Sequence, residues 1–216
     1  VILVTALTGP DDINEGLEAG AFDYIKKPFD ELELKARVVT ALTKKDEESK
    51  LREETQTDSL TRIYNRRYFF SSADRKIAYC KRRDTIIALT IIDVDTFKKI
   101  NDTYGHQAGD EVIRKTSQTL RRSIRKTDIA GRYGGEEFGI ILIDTPADNA
   151  MIFAERLRKR IEALDVRYDI LNIKFTISLG VAAMNESLGD YKGWLEHSDL
   201  ALYHSKENGR NQSTLY

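Results

Sequence analysis

The chain has 216 residues with 34 Lys and Arg against 35 Asp and Glu, so it can bury one good core and part of a second and has no overall pull towards nucleic acid or an anionic membrane. Its single cysteine, Cys80, excludes an internal disulfide and fits a reducing, cytoplasmic setting. The longest apolar stretch, Ile86 to Val94, falls well short of the ~20 residues of a membrane span, and the opening VILVTALTGP lacks the basic leader of a signal peptide.

In chain order, Val1 to Thr5 is a β-rich apolar run, Asp11 to Ala19 a helix with Pro10 near its start, and AFDYIKKPF a short strand ending at Pro28. Residues 31–56, free of Gly and Pro and rich in Leu, Lys, Glu and Ala, read as one long helix. At its full length it reaches roughly 40 Å, a stalk rather than a core element. Its apolar positions Leu34, Val38, Val39 and Leu42 fade before KKDEESKLREE, a charged linker segment.

From Asp58 a second unit begins. Ser59 to Cys80 read as helix, Thr85 to Val94 as a strand buried on both faces, and Glu111 to Ile124 as a helix carrying Val112, Ile113, Leu120 and Ile124 on one side. DIAGRY and FGIILI then make a hairpin turning at GGEE. Thr145 as N-cap and Pro146 at the first helical position open a helix whose Met151, Ala154, Leu157, Ile161 and Leu164 share a face. Phe175, Ile177, Leu179 and Val181 alternate as a strand, and Tyr191 to Asn208 form a last helix stopped by Gly209. The order β-α-β-β-α-β predicts an α/β fold of ferredoxin-like, split βαβ kind, with a mostly antiparallel central sheet flanked by helices. The expected division is 1–30, 31–56 and 57–216.

RYGGEEFGIIL sets two glycines and two glutamates at the mouth of an apolar run. A solvated hairpin turn accommodates all four, and so does a metal and phosphate site. TIIDVD delivers Asp93 and Asp95 at the carboxyl end of a strand, where open α/β sheets place ligands, and their spacing puts both on one face. Acidic residues commonly close strands, so this pair alone decides nothing. In a split βαβ sheet, however, the first strand and the hairpin are neighbours, which lets Glu136 and Glu137 approach Asp93. Converging carboxylates need a cation, and hard oxygen ligands select Mg2+ or Mn2+. Gly134 and Gly135, lacking Cβ, let a nucleotide lie against the backbone.

GGEEF at Gly134 to Phe138, DVDTFKKINDTYGHQAGD at Asp93 to Asp110, KENGRN at Lys206 to Asn211 and TDSLTRIYNRRYF at Thr57 to Phe69 together resemble the GGDEF family of diguanylate cyclases. The resemblance implies a nucleotidyl-cyclase or palm-like domain in which two GTP molecules condense to cyclic di-GMP, each held by one half of a homodimer. By position, it makes Asp93 and Glu136 catalytic and metal-binding, joined by the Val94 carbonyl and Glu137, with Asp95 a further candidate ligand. Asn101 and Asp110 match the guanine-reading pair, since a carboxylate accepts from the two adjacent donors that guanine presents and adenine does not. Asp110 also reads as an N-cap before EVIRK. His106 matches a nucleotide-contacting position, Phe97 and Lys98 a loop beneath the phosphates, and Lys206 and Arg210 the cations that grip them. Arg125 and Asp128, in RKTD, match the RxxD site at which the product inhibits. Departures are Arg62, where the family often has Gly, and the Ser of HSD at His197 to Asp199, in place of a smaller residue.

Residues 1–29 resemble the second half of a response-regulator receiver domain, of flavodoxin-like fold, with Thr5 as its switch Thr and Lys27-Pro28 as its Lys-Pro pair. The phospho-acceptor belongs to the half that this sequence does not contain, and a complete receiver implies a cognate histidine kinase. Two parallel strands without their neighbours would leave exposed edges. A second class stays open: a GTP- or cyclic di-GMP-binding sensor that kept the fold and lost turnover. Such sensors typically lose the acidic or glycine positions of the hairpin, and here all four are present.

Overall fold

The computed structural model describes residues 1–6, 10–83, 85–184 and 191–216, excepting the side chains of residues 10–12, 16 and 48–54. The chain divides into two compact units, Val1–Thr55 and Gln56–Tyr216.

In the first unit, β1 (Ile2–Thr5) and β2 (Asp23–Lys26) pair in parallel across α1 (Pro10–Glu18), with Ile2 against Asp23 and Thr5 against Lys26. Ile25 is fully buried, whereas Val4 stays exposed, as expected for a sheet of two strands. The Lys27-Pro28 peptide is cis, and the Lys27 N–H donates to the Thr5 carbonyl at 2.9 Å. Asp30 caps α2 (Glu31–Gln56) by accepting the Glu33 N–H at 2.7 Å. Arg37 of α2 grips Asp23 at 2.8 Å. Val38, Val39 and Leu42 lie exposed along the helix.

The second unit follows the order β3 (Tyr64–Asn65), α3 (Arg66–Arg83), β4 (Ile87–Val94), α4 (Phe97–Tyr104), α5 (His106–Ser123), β5 (Ile129–Arg132) and β6 (Glu137–Ile143). It continues with α6 (Ala147–Glu162), β7 (Val166–Tyr168), β8 (Leu171–Ile173), β9 (Ile177–Ala183), α7 (Tyr191–Glu207) and β10 (Ser213–Leu215). Among the described residues the main sheet has the order β10-β9-β4-β6-β5-β3. Its four central strands are antiparallel and the two edge strands parallel to their neighbours. This is the predicted split βαβ sheet, with β4 at its centre and every one of its residues buried.

Period-two alternation along β4 separates two cores. Ala88, Ile92 and Val94 join Val112, Leu120, Phe153 and Leu157 beneath α5 and α6. Ile87, Leu89 and Ile91 join Phe69, Trp194 and Leu202 beneath α3 and α7. Two close approaches require glycine. Gly131 and Gly139 are cross-strand partners, and a Cβ on either would meet the fully buried ring of Phe69. At Gly180 a Cβ would run into the Ser198 carbonyl and the Leu202 backbone, so α7 sits directly on β9.

Several expected boundaries move. Residues 59–65 are not helical: the Asp58 carboxylate accepts from the Thr61 N–H and hydroxyl, at 2.9 and 2.6 Å, and folds the segment into a turn. The helix starts only after Asn65, whose side chain caps the Tyr68 N–H at 3.0 Å. Asp110 is not an N-cap, because α5 already begins at His106 after Gly105. Pro146 rather than Thr145 occupies the N-cap of α6, and the Thr145 hydroxyl donates instead to the Ile143 carbonyl. Helix α4, the β7–β8 hairpin and the edge strands β3 and β10 are additions to the expected set. Replacing Gly180 by Ala is expected to cost roughly 1–3 kcal/mol of stability by forcing α7 off the sheet; an unchanged urea midpoint would contradict that packing.

Candidate active site

The pairing of β4 with β6 builds the acidic end of the site. Asp93 stands opposite Glu137 in the register, and the Val94 N–H donates to the Glu136 carbonyl at 3.3 Å. Asp93 continues the face of Ile87, Leu89 and Ile91, so its carboxylate points towards α7. There Lys206 meets it, Nζ to Oδ2, at 2.7 Å. Burial pushes the Asp93 carboxyl up to about 6; the Lys206 ammonium opposes the rise, and Glu136 and Glu137 add to it. Burial together with the charges of Asp199, Glu137 and Asp93 raises the Tyr133 phenol, whose hydroxyl is buried without a hydrogen-bond partner. Asp199 of α7 is raised by burial and by Glu137, against the pull of Lys206.

Asp95 lies on the same side but has a different task. Its Oδ1 accepts from the Ser178 hydroxyl at 2.6 Å, and its Oδ2 accepts from the Thr176 hydroxyl at 2.6 Å and the Asn211 N–H at 3.0 Å. With both oxygens engaged, Asp95 bolts β4 to β9 and to the segment after α7.

The two hairpin glycines differ. The Glu137 carboxylate fills the space in which a Cβ on Gly134 would stand, whereas the same position on Gly135 faces open space. Arg132 holds the turn in shape: its Nε and Nη2 donate to the Gly135 carbonyl at 3.0 and 2.7 Å, and its Nη1 donates to Asp58 at 3.1 Å.

A second group of side chains gathers where α4 meets α5. Asn101 of α4 and Asp110 of α5 are both half-buried, and Asn101 Oδ1 is buried without a hydrogen-bond partner. A Cβ on Gly109 would collide with that oxygen and press on the Phe97 ring at 3.2 Å, so the missing side chain makes room for both. Phe97 and Lys98, expected in a loop, form the first turn of α4, whose leading N–H groups have no preceding helical carbonyl and suit an anion. His106 and Lys98 are exposed, as is Arg210, which lies beyond α7.

A family model described as "Diguanylate cyclase, GGDEF domain" matches residues 55–212. The chain belongs to the GGDEF family. It is 42% identical over 171 residues to diguanylate cyclase A of Treponema denticola, covering 77% of this chain and 46% of that protein. It is 36% identical over 220 aligned positions to the response regulator PleD of Caulobacter vibrioides, covering 96% of this chain and 48% of that one. The chain thus spans about half the length of these curated relatives. Among solved structures, the GGDEF domain of DgcB from Caulobacter crescentus in complex with c-di-GMP aligns with a TM-score of 0.72 at 35% identity, over 74% of this chain and 93% of that one. The active GGEEF domain of a diguanylate cyclase from Vibrio cholerae aligns with a TM-score of 0.67 at 34% identity, over 70% and 96%.

In this GGDEF domain the acidic donors are all oxygen, as a hard divalent cation requires. Among the described residues no three acidic, His or Cys side chains gather so that they could hold a metal ion. Glu137 is the one drawn aside, towards Gly134. Asp93 and Glu136, with the Val94 carbonyl, would therefore hold a cation whose remaining positions fall to water and nucleotide phosphates, the usual habit of Mg2+.

The RxxD pair of the GGDEF domain lies elsewhere, at a cavity of about 410 Å³ lined by Arg125, Asp128, Asn149 and Arg156 among others. Asp128 accepts the Arg125 N–H at 2.9 Å and the Ile143 N–H at 3.2 Å, which fixes the loop and leaves the exposed Arg125 at the rim. Arg156, Arg132 and Gly109 escaped the reading of the sequence. Gly109 sits inside the QAGD segment, and Arg132 ends the first strand of the hairpin, two residues before its glycines, so both were within reach. Arg156 meets Arg125 only through the tertiary fold.

Burial tends to raise the Asp58 carboxyl, but the Thr61 hydroxyl and the Arg132 guanidinium outweigh it and hold the group below the usual carboxylate range. A folded-state value below the unfolded one adds stability that is present above the unfolded value, ~4, and is lost as pH falls through the folded one. Asp58→Asn should therefore lower the urea midpoint at pH 7, with the difference closing on acidification; a gap that persists in acid would contradict the clasp.

Proposed function

We propose that residues 57–216 are the catalytic domain of a cytoplasmic, homodimeric diguanylate cyclase that converts two GTP into cyclic di-GMP and two pyrophosphates. The reading is supported above all by the strand-end pairing that sets buried Asp93 opposite the Gly-Gly-Glu-Glu hairpin, with Lys206 beside it. In each half of the dimer, Asp110 accepts from the guanine N1–H and amino group, and the orphaned Asn101 Oδ1 offers a further acceptor. His106 contacts the nucleotide, and Phe97 lies with Lys98 by the phosphates. Lys98, Lys206 and Arg210 hold the triphosphate over the open face of Gly135.

Glu136 favours the deprotonated 3′-hydroxyl. That oxygen attacks the α-phosphorus of the GTP on the partner subunit, and the bond to the pyrophosphate oxygen breaks. Repetition in the opposite sense closes the ring. A divalent cation, Mg2+ or Mn2+, would stabilise the entering and leaving oxygens when held by Asp93, the Val94 carbonyl and Glu136, with Glu137 joining them once its carboxylate turns from Gly134. Lys206, which grips Asp93 in this structure, would be shared with the phosphates once substrate is present.

Residues 1–30 read as the end of a receiver domain and 31–56 as its last helix and stalk, so that phosphorylation by a cognate histidine kinase brings two cyclase domains together. The exposed Val38, Val39 and Leu42 offer the stalk an apolar stripe for pairing. No helix among the described residues is long and apolar enough to cross a membrane.

Incubation of the chain with GTP and Mg2+ should yield cyclic di-GMP, and Glu136→Ala should lower the rate at least about a hundredfold. A wild-type dimer that releases no cyclic di-GMP would overturn the enzyme reading. Product inhibition is expected to act through Arg125, with Arg156 on the same cavity, and Arg125→Ala should raise the inhibition constant roughly tenfold or more. Unchanged inhibition in that variant would remove the proposed site.

A further inference from the structure

The turn that carries Arg210 has an unusual backbone. Gly209, Arg210 and Asn211 take φ values of 108°, 64° and 48° in succession. Glycine enters this left-handed region freely, but two further residues stay there only when tertiary contacts hold them. Those contacts converge on Asn211. Its N–H donates to Asp95 Oδ2 at 3.0 Å, its Nδ2 donates to Glu162 Oε1 at 2.8 Å, and its Oδ1 accepts from Arg158 Nη1 at 2.8 Å.

The anchors are themselves held. Arg158 is largely buried and also bonds Glu155 and Glu162, at 3.1 and 3.0 Å. Asp95 is fixed by Thr176 and Ser178. The backbone of Arg210 adds a single bond, from its N–H to the Ser205 carbonyl at 3.0 Å. Asparagine suits its place twice over: it tolerates the left-handed region better than most residues, and its amide meets a carboxylate with a donor and a guanidinium with an acceptor.

We propose that Asn211 is the positioning residue for Arg210, a latch that ties the cation-bearing turn to α6 and to the strand-end Asp95 so that the guanidinium is already aimed at the triphosphate before substrate arrives. The proposal rests on the reading of Arg210 as a phosphate-gripping residue. Free of the latch, the turn relaxes towards ordinary φ values, the guanidinium loses its fixed direction, and the binding of nucleotide must restore the order.

The test uses the full chain and equilibrium binding, measured by calorimetry with 3′-deoxyguanosine triphosphate, which carries the triphosphate but lacks the attacking hydroxyl, and with guanosine, which carries the base and ribose without phosphates. Asn211→Ala and Arg158→Met should each weaken the triphosphate on the order of tenfold and leave guanosine unchanged. Asn211→Gly, which keeps the backbone freedom and removes the side-chain hooks, should behave like Asn211→Ala. Combined with Arg210→Ala, Asn211→Ala should add nothing further, because the latch acts through that guanidinium. Equal loss of both ligands, or independent effects in the double variant, would overturn the latch and leave a structural role. Wild-type affinity in Asn211→Ala and Arg158→Met, with Arg210→Ala impaired, would overturn the latch alone. An Arg210→Ala variant with undiminished triphosphate affinity would overturn the phosphate reading and the latch with it.

Discussion

The antiparallel pairing of β4 with β6 is the constraint on which the site depends. It brings a strand-end aspartate opposite the first residue of a returning strand that is also acidic, and like charges directly across a ladder repel. The sheet can hold such a pair because the remainder of β4 is buried on both faces, so its register cannot slip without forcing every side chain into the opposite, already packed core. Packing energy spread over many residues thus sustains an electrostatic cost concentrated at one end. Burial is the main cause of the raised Asp93 carboxyl; the neighbouring glutamates add to the rise, and the Lys206 ammonium offsets part of it.

Around this end the chain divides labour among carboxylates that look alike in sequence. Asp93 is paired with a single ammonium that other groups can share. Asp95, two residues on, has both oxygens engaged by Ser178, Thr176 and the Asn211 backbone, and so acts as a structural tie. Asp58 and Asp128 likewise serve as tertiary anchors, one for the hairpin guanidinium and one for the loop before β5. An acidic residue near an active site is therefore best judged by how many of its lone pairs remain free.

What could be read from the sequence was whatever repeats with a period. The buried strand at β4, the hairpin strands and the apolar faces of α5 and α6 all follow from alternation or helical spacing, and with them the ferredoxin-like order of the sheet. Adjacency of Asp93 to the hairpin followed from that topology. Elements with little periodic signal were missed: α4 buries only Ile100, and β3 has two residues. The stretch from Ser59 was misjudged as helix because its propensities permit one, while the Asp58 side chain captures Thr61 and Asn65 supplies the true cap. Contacts that join distant segments, such as Arg125 with Arg156 around one cavity, have no sequence signature at all.

The bare α-carbon of Gly180 reaches further than the fit of one helix. Because α7 rests on Gly180 of β9 with no side chain between them at that point, the spacing of helix and sheet there is close to the least that two backbones permit. Lys206 extends from that same helix, and its ammonium meets the strand-end aspartate at 2.7 Å. The glycine thus works as a spacer of zero thickness, and the reach of the lysine is gauged against it. The charge balance at the mouth of the sheet is in this sense calibrated by a methyl group that is not there, at a position that bears no charge and touches no substrate.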